Sequence, residues 1–145
     1  MEIEQEKEIL SSDKSDKNKR NLIDSRQGQG EYRRKVIEDC HYCPFTLVND
    51  ERLLIASHIK PWVDSDDKEK VDPKNGFALT PTYDKLFDKG FITFSSDKKL
   101  IVSPWISPMN QKRLKIYDGK IIDKLQLDNK RESYLEYHRK YIFKR

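Results

Sequence analysis

Short apolar runs alternate with charged stretches along the chain, and they predict several small elements of regular structure. The run Leu53-Leu54-Ile55-Ala56 predicts a buried strand that carries His58 at its end. Residues 61–74 combine many charged side chains with two prolines, which is typical of a surface loop. The pair Asn75-Gly76 predicts a turn at the end of that loop.

A helix is predicted directly after the run Phe77-Ala78-Leu79. Thr80 suits the N-cap, Pro81 suits the first helical position, and Gly90 suits the position that follows the helix. Asp84 and Asp88 are four residues apart and therefore share one face of this helix, while Leu86 and Phe87 can pack against the strand.

The second half of the chain predicts a hairpin and more helices. Residues 91–94 and 100–102 are apolar and flank a polar turn, as in a β-hairpin. Residues 109–115 predict a short helix, and residues 130–143 predict a closing helix. The spacing of Tyr134, Tyr137 and Tyr141 predicts a stripe that faces the core. We therefore predict an α+β fold.

The chain divides by composition into an extension and one domain. Residues 1–26 are charged and polar, which predicts a mobile N-terminal extension. Residues 27–145 are expected to form the domain, with a core at about 40–95 and a basic extension at about 98–145. No apolar run approaches the length of a membrane span, and the N-terminus lacks the features of a signal peptide, so a cytoplasmic location is expected.

His58, Asn75 and the helical carboxylates have the residue types that phosphodiester hydrolysis needs. The reaction needs a base for water, a group that holds the base in line, and a cation that neutralises charge on the phosphate. Histidine is the side chain best suited to act as a base near pH 7. Taken alone, a histidine after an apolar strand is more often a packing residue, and the spacing to Asn75 and Asp84 is what favours a site.

Several segments together resemble the HNH endonucleases, and most closely their small restriction-endonuclease-like branch. The similar segments are residues 27–33, 43–46, 56–62, 75–79, 86–90 and 134–139. The resemblance implies a ββα-metal centre, here extended by a second β-hairpin and flanking helices. It also implies a metal-dependent endonuclease that cuts DNA, with restriction or defence against foreign DNA as its setting.

Carried onto this sequence, the resemblance gives each candidate residue a role. His58 takes the general-base position, Asn75 the position that orients the base, and Asp84 the position where the family usually has its last metal-binding histidine. Ser57 stands where many members have an acidic second ligand, and Asp88 could compensate for it. A carboxylate in place of histidine favours one Mg²⁺ or Mn²⁺ ion over zinc or nickel.

A structural zinc ion, which many family members hold with two CxxC pairs, is not expected. Cys40 and Cys43 have the spacing of one pair, but Thr80 and Tyr83 occupy the positions of the other. One pair cannot close a tetrahedral site. We expect two reduced thiols.

Positive charge is concentrated in the C-terminal third of the chain. Residues 98–145 hold 13 Lys and Arg against 5 Asp and Glu, whereas residues 28–97 hold 10 against 13. We therefore expect the C-terminal third to supply phosphate contacts. The candidate DNA-binding residues are Arg33, Arg34, Lys60, Lys112, Arg113 and Lys115. For any single lysine, a solvated surface position is the alternative.

Two other functions stay open at the level of sequence. Ser57 and the missing final histidine allow a nucleic-acid-binding module that has lost cleavage, and the charged extension allows a protein-interaction domain. His138 is expected to be a packing or surface residue rather than a substrate contact. If both DNA strands are cut, a homodimer or two successive cuts are expected, because a single centre of this kind usually cuts one strand.

Overall fold

Two antiparallel strands lie at the centre of the computed structural model, which describes residues 16–145 and their side chains from residue 28 onward. Strand β1 (Ile55–His58) pairs with strand β2 (Gly76–Leu79), so that Ile55 lies opposite Leu79 and His58 opposite Gly76. Every residue of β2 is buried. A strand that ends at His58 is confirmed, but it begins at Ile55, because Leu53 ends an exposed 3₁₀ turn and Leu54 caps that turn.

A long helix, α1 (Asp16–Cys40), packs against both strands of this hairpin. Its buried side chains Tyr32, Val36 and Cys40 recur every four residues, which places them on one helical face. The contact is closest at Gly76, where a Cβ atom would lie 2.4 Å from the Tyr32 hydroxyl oxygen and 2.9 Å from a Val36 methyl carbon. Only glycine therefore allows α1 to approach β2 this closely.

The N-terminal extension that the sequence predicts overlaps this helix. Residues 16–26 of the extension form the start of α1, and residues 1–15 lie outside the described residues.

The segment between β1 and β2 is more regular than predicted. It contains a 3₁₀ turn at Trp62–Asp64 and the short helix α2 (Asp67–Val71). A capping box begins α2, because the Asp66 carboxylate accepts from the Glu69 backbone N–H while the Glu69 carboxylate accepts from that of Asp66. Residues 61–74 lie largely at the surface as predicted, but they contain a short helix that the prediction of a loop missed, because charge density concealed the capping pattern.

Helix α3 (Pro81–Asp88) follows β2 and begins and ends as the sequence predicts. It packs against β1, β2 and the next strand, with Leu86 and Phe87 buried. Gly90 has a φ of +75°, and a Cβ atom there would lie 2.1 Å from the Ile142 carbonyl oxygen. Asp84 and Asp88 differ in burial, since Asp84 is buried and Asp88 is exposed.

The second half of the domain contains the predicted hairpin and helices. Strands β3 (Ile92–Phe94) and β4 (Leu100–Val102) form a second antiparallel sheet, and helix α4 (Pro108–Arg113) starts at the N-cap Ser107. Helix α5 (Asn129–Tyr137) continues directly into a π-helix at His138–Ile142. These elements confirm the hairpin and the closing helix.

Tyr134 packs against the core, but the closing-helix tyrosines as a set do not form the core-facing stripe that their spacing predicts. Tyr134 and Tyr137 are half-buried and donate hydrogen bonds to the Asp72 and Asp64 carboxylates, and Tyr141 is 60% exposed. A tyrosine hydroxyl needs a polar partner, and the segment between β1 and β2 supplies it. Helical spacing indicates a shared face but not which neighbour covers that face.

The described residues form an α+β fold with two small antiparallel sheets. β1, β2 and α3 follow one another in the order strand, strand, helix, which is the order expected of a ββα centre. Within residues 16–145, no helix combines the length and the apolar character that crossing a membrane requires.

Candidate functional site

The His58 ring is held so that one nitrogen atom remains available. Its Nε2 atom lies 2.9 Å from the Lys70 carbonyl oxygen. A carbonyl oxygen can only accept, so Nε2 carries the proton and Nδ1 carries the lone pair. Burial of the ring lowers the pKa of His58 to about 4, against the raising effect of the Lys70 carbonyl. The ring is therefore neutral near pH 7, as a general base must be.

The Asn75 side chain bonds to the backbone of the β1–β2 segment. This segment in turn orients His58 through the Lys70 carbonyl. Its side chain is fully buried, and its Oδ1 atom accepts from the Lys60 backbone N–H at 2.8 Å. Its Nδ2 atom donates to the carbonyl oxygens of Glu69 at 3.1 Å and Lys60 at 3.3 Å. The start of the β1–β2 segment and helix α2 are thereby held together, and the Lys70 carbonyl comes next after Glu69.

Tyr32 is a residue of the site that our sequence analysis missed. Its ring stacks on the His58 ring at a centroid distance of 4.3 Å and an angle of 11°. Its hydroxyl donates to the Asn75 carbonyl oxygen at 2.6 Å. The four-residue spacing of Tyr32, Val36 and Cys40 could have indicated that Tyr32 faces the core, but only the fold brings it onto His58.

Asp84 is a buried carboxyl group with one unsatisfied oxygen. The residue is 1% exposed, and its Oδ2 atom has no hydrogen-bond partner in the described part of the chain. Burial raises the pKa of Asp84 to about 6, the Ser57 hydroxyl lowers it, and the negative charge of Asp88 raises it. A buried carboxylate oxygen without a partner is costly unless something binds it.

The residues around Asp84 fit a hard cation that takes few protein ligands. Ser57 is buried beside Asp84, and Asp88 is exposed one turn along α3. Within residues 28–145 there is no cluster of three or more His, Cys, Asp or Glu side chains placed to hold a metal ion. Mg²⁺ commonly binds through one or two carboxylates together with waters and substrate phosphates. Asp84 alone fits that pattern, with Asp88 and Ser57 as secondary candidates.

His58 and Asp84 lie on different elements and pack against different neighbours. His58 ends β1 and packs against Tyr32 of α1, whereas the preceding residue, Ser57, contacts Asp84 on α3. Consecutive strand residues point to opposite faces, which explains this division. The negative charge of Asp88 raises the pKa of both His58 and Asp84, although burial is the main cause of the shift in each.

The side chains at the four positions of the two possible CxxC pairs form hydrogen bonds within the protein. Cys40 and Cys43 are free and buried. The Cys40 sulfur accepts from Arg131 at 3.4 Å, and the Cys43 sulfur lies 3.5 Å from the Thr80 hydroxyl oxygen. The Tyr83 hydroxyl donates to the Leu114 carbonyl oxygen at 2.8 Å.

The candidate DNA-binding residues near the site are engaged within the protein. Arg33 donates to the carbonyl oxygens of Glu51 at 2.6 Å and Leu54 at 3.2 Å. These bonds join α1 to the residues just before β1, so the role of Arg33 is structural. The Lys60 ammonium lies 3.0 Å from both Glu69 carboxylate oxygens. Arg34 is exposed and forms ion pairs with Glu31 and Glu38 on the same helix.

The candidates in the C-terminal third surround a basic cavity of about 380 Å³. Lys112 and Lys115 line it together with Lys120 and Tyr117, and Arg113 is exposed next to Lys112. The Lys120 ammonium donates to the Lys115 carbonyl oxygen at 2.9 Å. Our sequence analysis missed Lys120, because only the fold brings it back beside α4.

His138 belongs to the core. Its Nδ1 atom lies 2.8 Å from the Thr93 hydroxyl oxygen, its Nε2 atom lies 2.9 Å from the Phe87 carbonyl oxygen, and its ring stacks on Phe87 at 4.0 Å. The packing role expected of it agrees with these contacts.

Comparison with known proteins finds one matching family. Residues 43–95 match a family model described as HNH endonuclease. The matched segment contains β1, β2 and α3, and with them His58, Asn75 and Asp84. No curated protein matches the chain.

The burial of Asp84 predicts a pH-dependent cost to stability. Because its pKa is raised, the folded state binds the proton more tightly than the unfolded state, so this group lowers stability as the pH rises from about 4 to about 6. The free energy of unfolding of Asp84→Asn, relative to that of the wild type, should therefore rise by roughly 2–3 kcal/mol when the pH is raised from about 4 to about 8. Urea unfolding in EDTA measures the gap. Asp88→Asn, at an exposed position, is the control, and an equal gain there would contradict the prediction.

Proposed function

We propose that this chain, whose residues 43–95 belong to the HNH endonuclease family, is a metal-dependent endonuclease that hydrolyses phosphodiester bonds in DNA. One observation supports this proposal most directly. The matched segment contains both a histidine whose Nε2 atom is held by a backbone carbonyl, which leaves Nδ1 available, and a buried carboxylate oxygen that has no partner. Such a pair suits a general base and a cation ligand.

His58 would accept the proton of the attacking water at Nδ1. The Lys70 carbonyl keeps the ring in the required tautomer, and Tyr32 restricts its rotation by stacking on one face. As the water oxygen bonds to phosphorus, the bond to the 3′ oxygen breaks, leaving a 5′-phosphate and a 3′-hydroxyl. The negative charge of a bound phosphate would raise the pKa of His58 toward neutrality and so make it a stronger base.

Asp84 would hold one divalent cation, Mg²⁺ or Mn²⁺, through its unpartnered oxygen, with Asp88 and Ser57 as further candidates. A bound cation of this kind neutralises charge on the phosphate and the leaving oxygen. Asn75 would act as a positioning residue, because its side chain fastens the segment that carries the Lys70 carbonyl.

DNA would contact the basic C-terminal third through Lys112, Arg113 and Lys115, with Arg34 as an additional contact. Arg33 and Lys60, which bond within the protein, would influence DNA indirectly by holding the site. Restriction or another defence against foreign DNA is the biological setting that we propose, with a cytoplasmic location. Cleavage of both strands would need a homodimer or two successive cuts.

Ser57 supports one alternative, a DNA-binding module without cleavage. Serine is a weak ligand for a hard cation, and it stands beside Asp84 where a second carboxylate would strengthen the site. A plasmid-nicking assay with magnesium, manganese or EDTA separates the two functions. Metal-dependent nicking supports the nuclease, and binding without any cut under every metal supports the alternative.

Replacement of the base should abolish most of the activity. We expect His58→Ala to cleave roughly two to four orders of magnitude more slowly, the usual contribution of a general base, with little change in DNA affinity. Plasmid nicking and a binding titration in EDTA give the two quantities. His41→Asn, which changes an exposed histidine with a φ of +70°, is the matched control. Near wild-type nicking by His58→Ala would exclude His58 as the base.

Replacement of Asp84 should change how the protein uses metal. Asp84→Ala should lose metal-supported cleavage, and Asp84→His should shift the preference toward nickel, cobalt or zinc, because imidazole is a softer ligand. Magnesium should also raise the unfolding temperature of the wild type but not that of Asp84→Ala. Asp123→Ala, at an exposed carboxylate outside the site, provides the control. Normal magnesium use by Asp84→Ala would transfer the ligand role to Asp88 or another group.

Neutralisation of the basic C-terminal residues should weaken DNA binding for all sequences alike. In the triple variant Lys112→Gln, Arg113→Gln and Lys115→Gln, the slope of log K against log salt should flatten by about 0.9 for each phosphate that the protein no longer neutralises. Discrimination between DNA sequences should survive, because phosphate contacts position the protein without reading bases.

A second triple variant controls for net charge, with Lys35, Arg52 and Lys68 changed to Gln. Its salt slope should stay close to that of the wild type. If the first triple variant also keeps the wild-type slope, the cavity lysines are only a solvated surface, and DNA lies elsewhere.

A further inference from the structure

We infer that three aromatic side chains beside the His58 segment, Trp62, Tyr137 and Tyr141, form a strip that binds unpaired bases of a DNA strand. The inference rests on the proposed nuclease function and specifies its substrate as DNA that is single-stranded or locally unpaired near the cut. We call these three residues the aromatic strip.

Two of the three rings are in direct contact, and the third lies on the segment that they touch. The rings of Tyr137 and Tyr141 lie 4.7 Å apart at an angle of 43°. The Tyr137 hydroxyl donates to the Asp64 carboxylate at 3.0 Å, and Asp64 shares a single 3₁₀ turn with Trp62. Asp64 therefore links the two tyrosines to the turn that carries Trp62.

A lysine ammonium lies over each ring of the strip. Lys70 is 4.1 Å from the centre of the Trp62 ring, Lys60 is 4.9 Å from that of Tyr137, and Lys140 is 5.2 Å from that of Tyr141. Proteins that bind single strands combine the same two components, aromatic rings on which bases stack and cations that follow the phosphates.

The strip is joined to the catalytic histidine through a single residue. The Lys70 carbonyl oxygen accepts from His58 Nε2, while the Lys70 ammonium covers Trp62. Lys60, over Tyr137, follows His58 by two positions in the chain. A strand whose bases lie on the strip would therefore have its backbone close to the candidate base.

Charge and exposure favour nucleic acid as the occupant. Lys60 is neutralised by Glu69, but neither Lys70 nor Lys140 has an ion-pair partner among the side chains of residues 28–145. Tyr141 is 60% exposed. In an intact duplex each base is already stacked on its neighbours, so a stacking surface of this kind is matched by unpaired bases rather than by paired ones.

Tryptophan fluorescence can locate the bound strand, because the chain has only two tryptophans, Trp62 and Trp105. In Trp105→Phe, Trp62 is the sole reporter, and an oligothymidine strand added in EDTA should quench its fluorescence. In Trp62→Phe, Trp105 is the sole reporter, and quenching should be much weaker. The opposite pattern would place the strand at Trp105 and overturn the inference.

Affinity measurements test the stacking itself. Tyr141→Ala should weaken binding of a single-stranded oligonucleotide by about tenfold, while duplex affinity changes little. Tyr141→Phe keeps the ring and should bind like the wild type. Trp105→Ala is the matched control, because Trp105 is 65% exposed, has Lys144 at 5.5 Å from its ring and lines neither the strip nor the basic cavity.

The outcomes separate this inference from the proposed function. A wild-type protein that binds neither duplex nor single strands would contradict the nuclease proposal as a whole. A protein that binds and nicks duplex DNA, but whose Tyr141→Ala variant binds single strands as tightly as the wild type, would overturn only the strip. An equal loss in Trp105→Ala would also overturn it, because the effect would not be specific to these rings.

Discussion

The geometry of the candidate site depends on the buried side chain of Asn75. Its amide bonds to the backbone at Lys60 and Glu69, so the start of the β1–β2 segment and helix α2 are held by one group. A buried amide with four bonding positions is costly to leave unsatisfied, so this arrangement is strongly selected over alternatives for the segment. The Lys70 carbonyl that orients His58 is fixed as a consequence. The orientation of His58 is thus set by a residue whose side chain bonds to the backbone around it.

Burial has opposite consequences for the two central groups of the site. For His58 it favours the uncharged ring, which is the form that can accept a proton. For Asp84 it also favours the uncharged form, which is the wrong form for binding a cation. The folded protein therefore carries a carboxyl group whose ionisation would be favoured by a ligand with positive charge. A buried oxygen without a partner lowers the stability of the fold, so a functional role explains its presence better than a structural one.

The parts of the site that sequence predicted correctly depend on local rules. Helix α3 follows from Thr80, Pro81 and Gly90, and the position of His58 follows from the apolar run before it. The errors involve partners that are distant in the chain. Tyr32 reaches His58 across 26 positions, and the closing-helix tyrosines find their carboxylates more than 60 positions away. Residue spacing indicates which side chains share a face, but it carries no information about what that face meets.

Arg131 illustrates how such distant contacts join the elements around the site. Its side chain is 1% exposed and donates to Asp39, Asp128, the Cys40 sulfur and the carbonyl oxygens of Pro73 and Gly76. A buried guanidinium is tolerated only when nearly all its donors have partners, and here two carboxylates and three further acceptors supply them. These acceptors belong to α1, to the residue just before α5, to the residues just before β2 and to β2 itself. Because Asn75 lies between Pro73 and Gly76, the same arginine that ties α5 to the hairpin also restrains the backbone from which Asn75 holds the site.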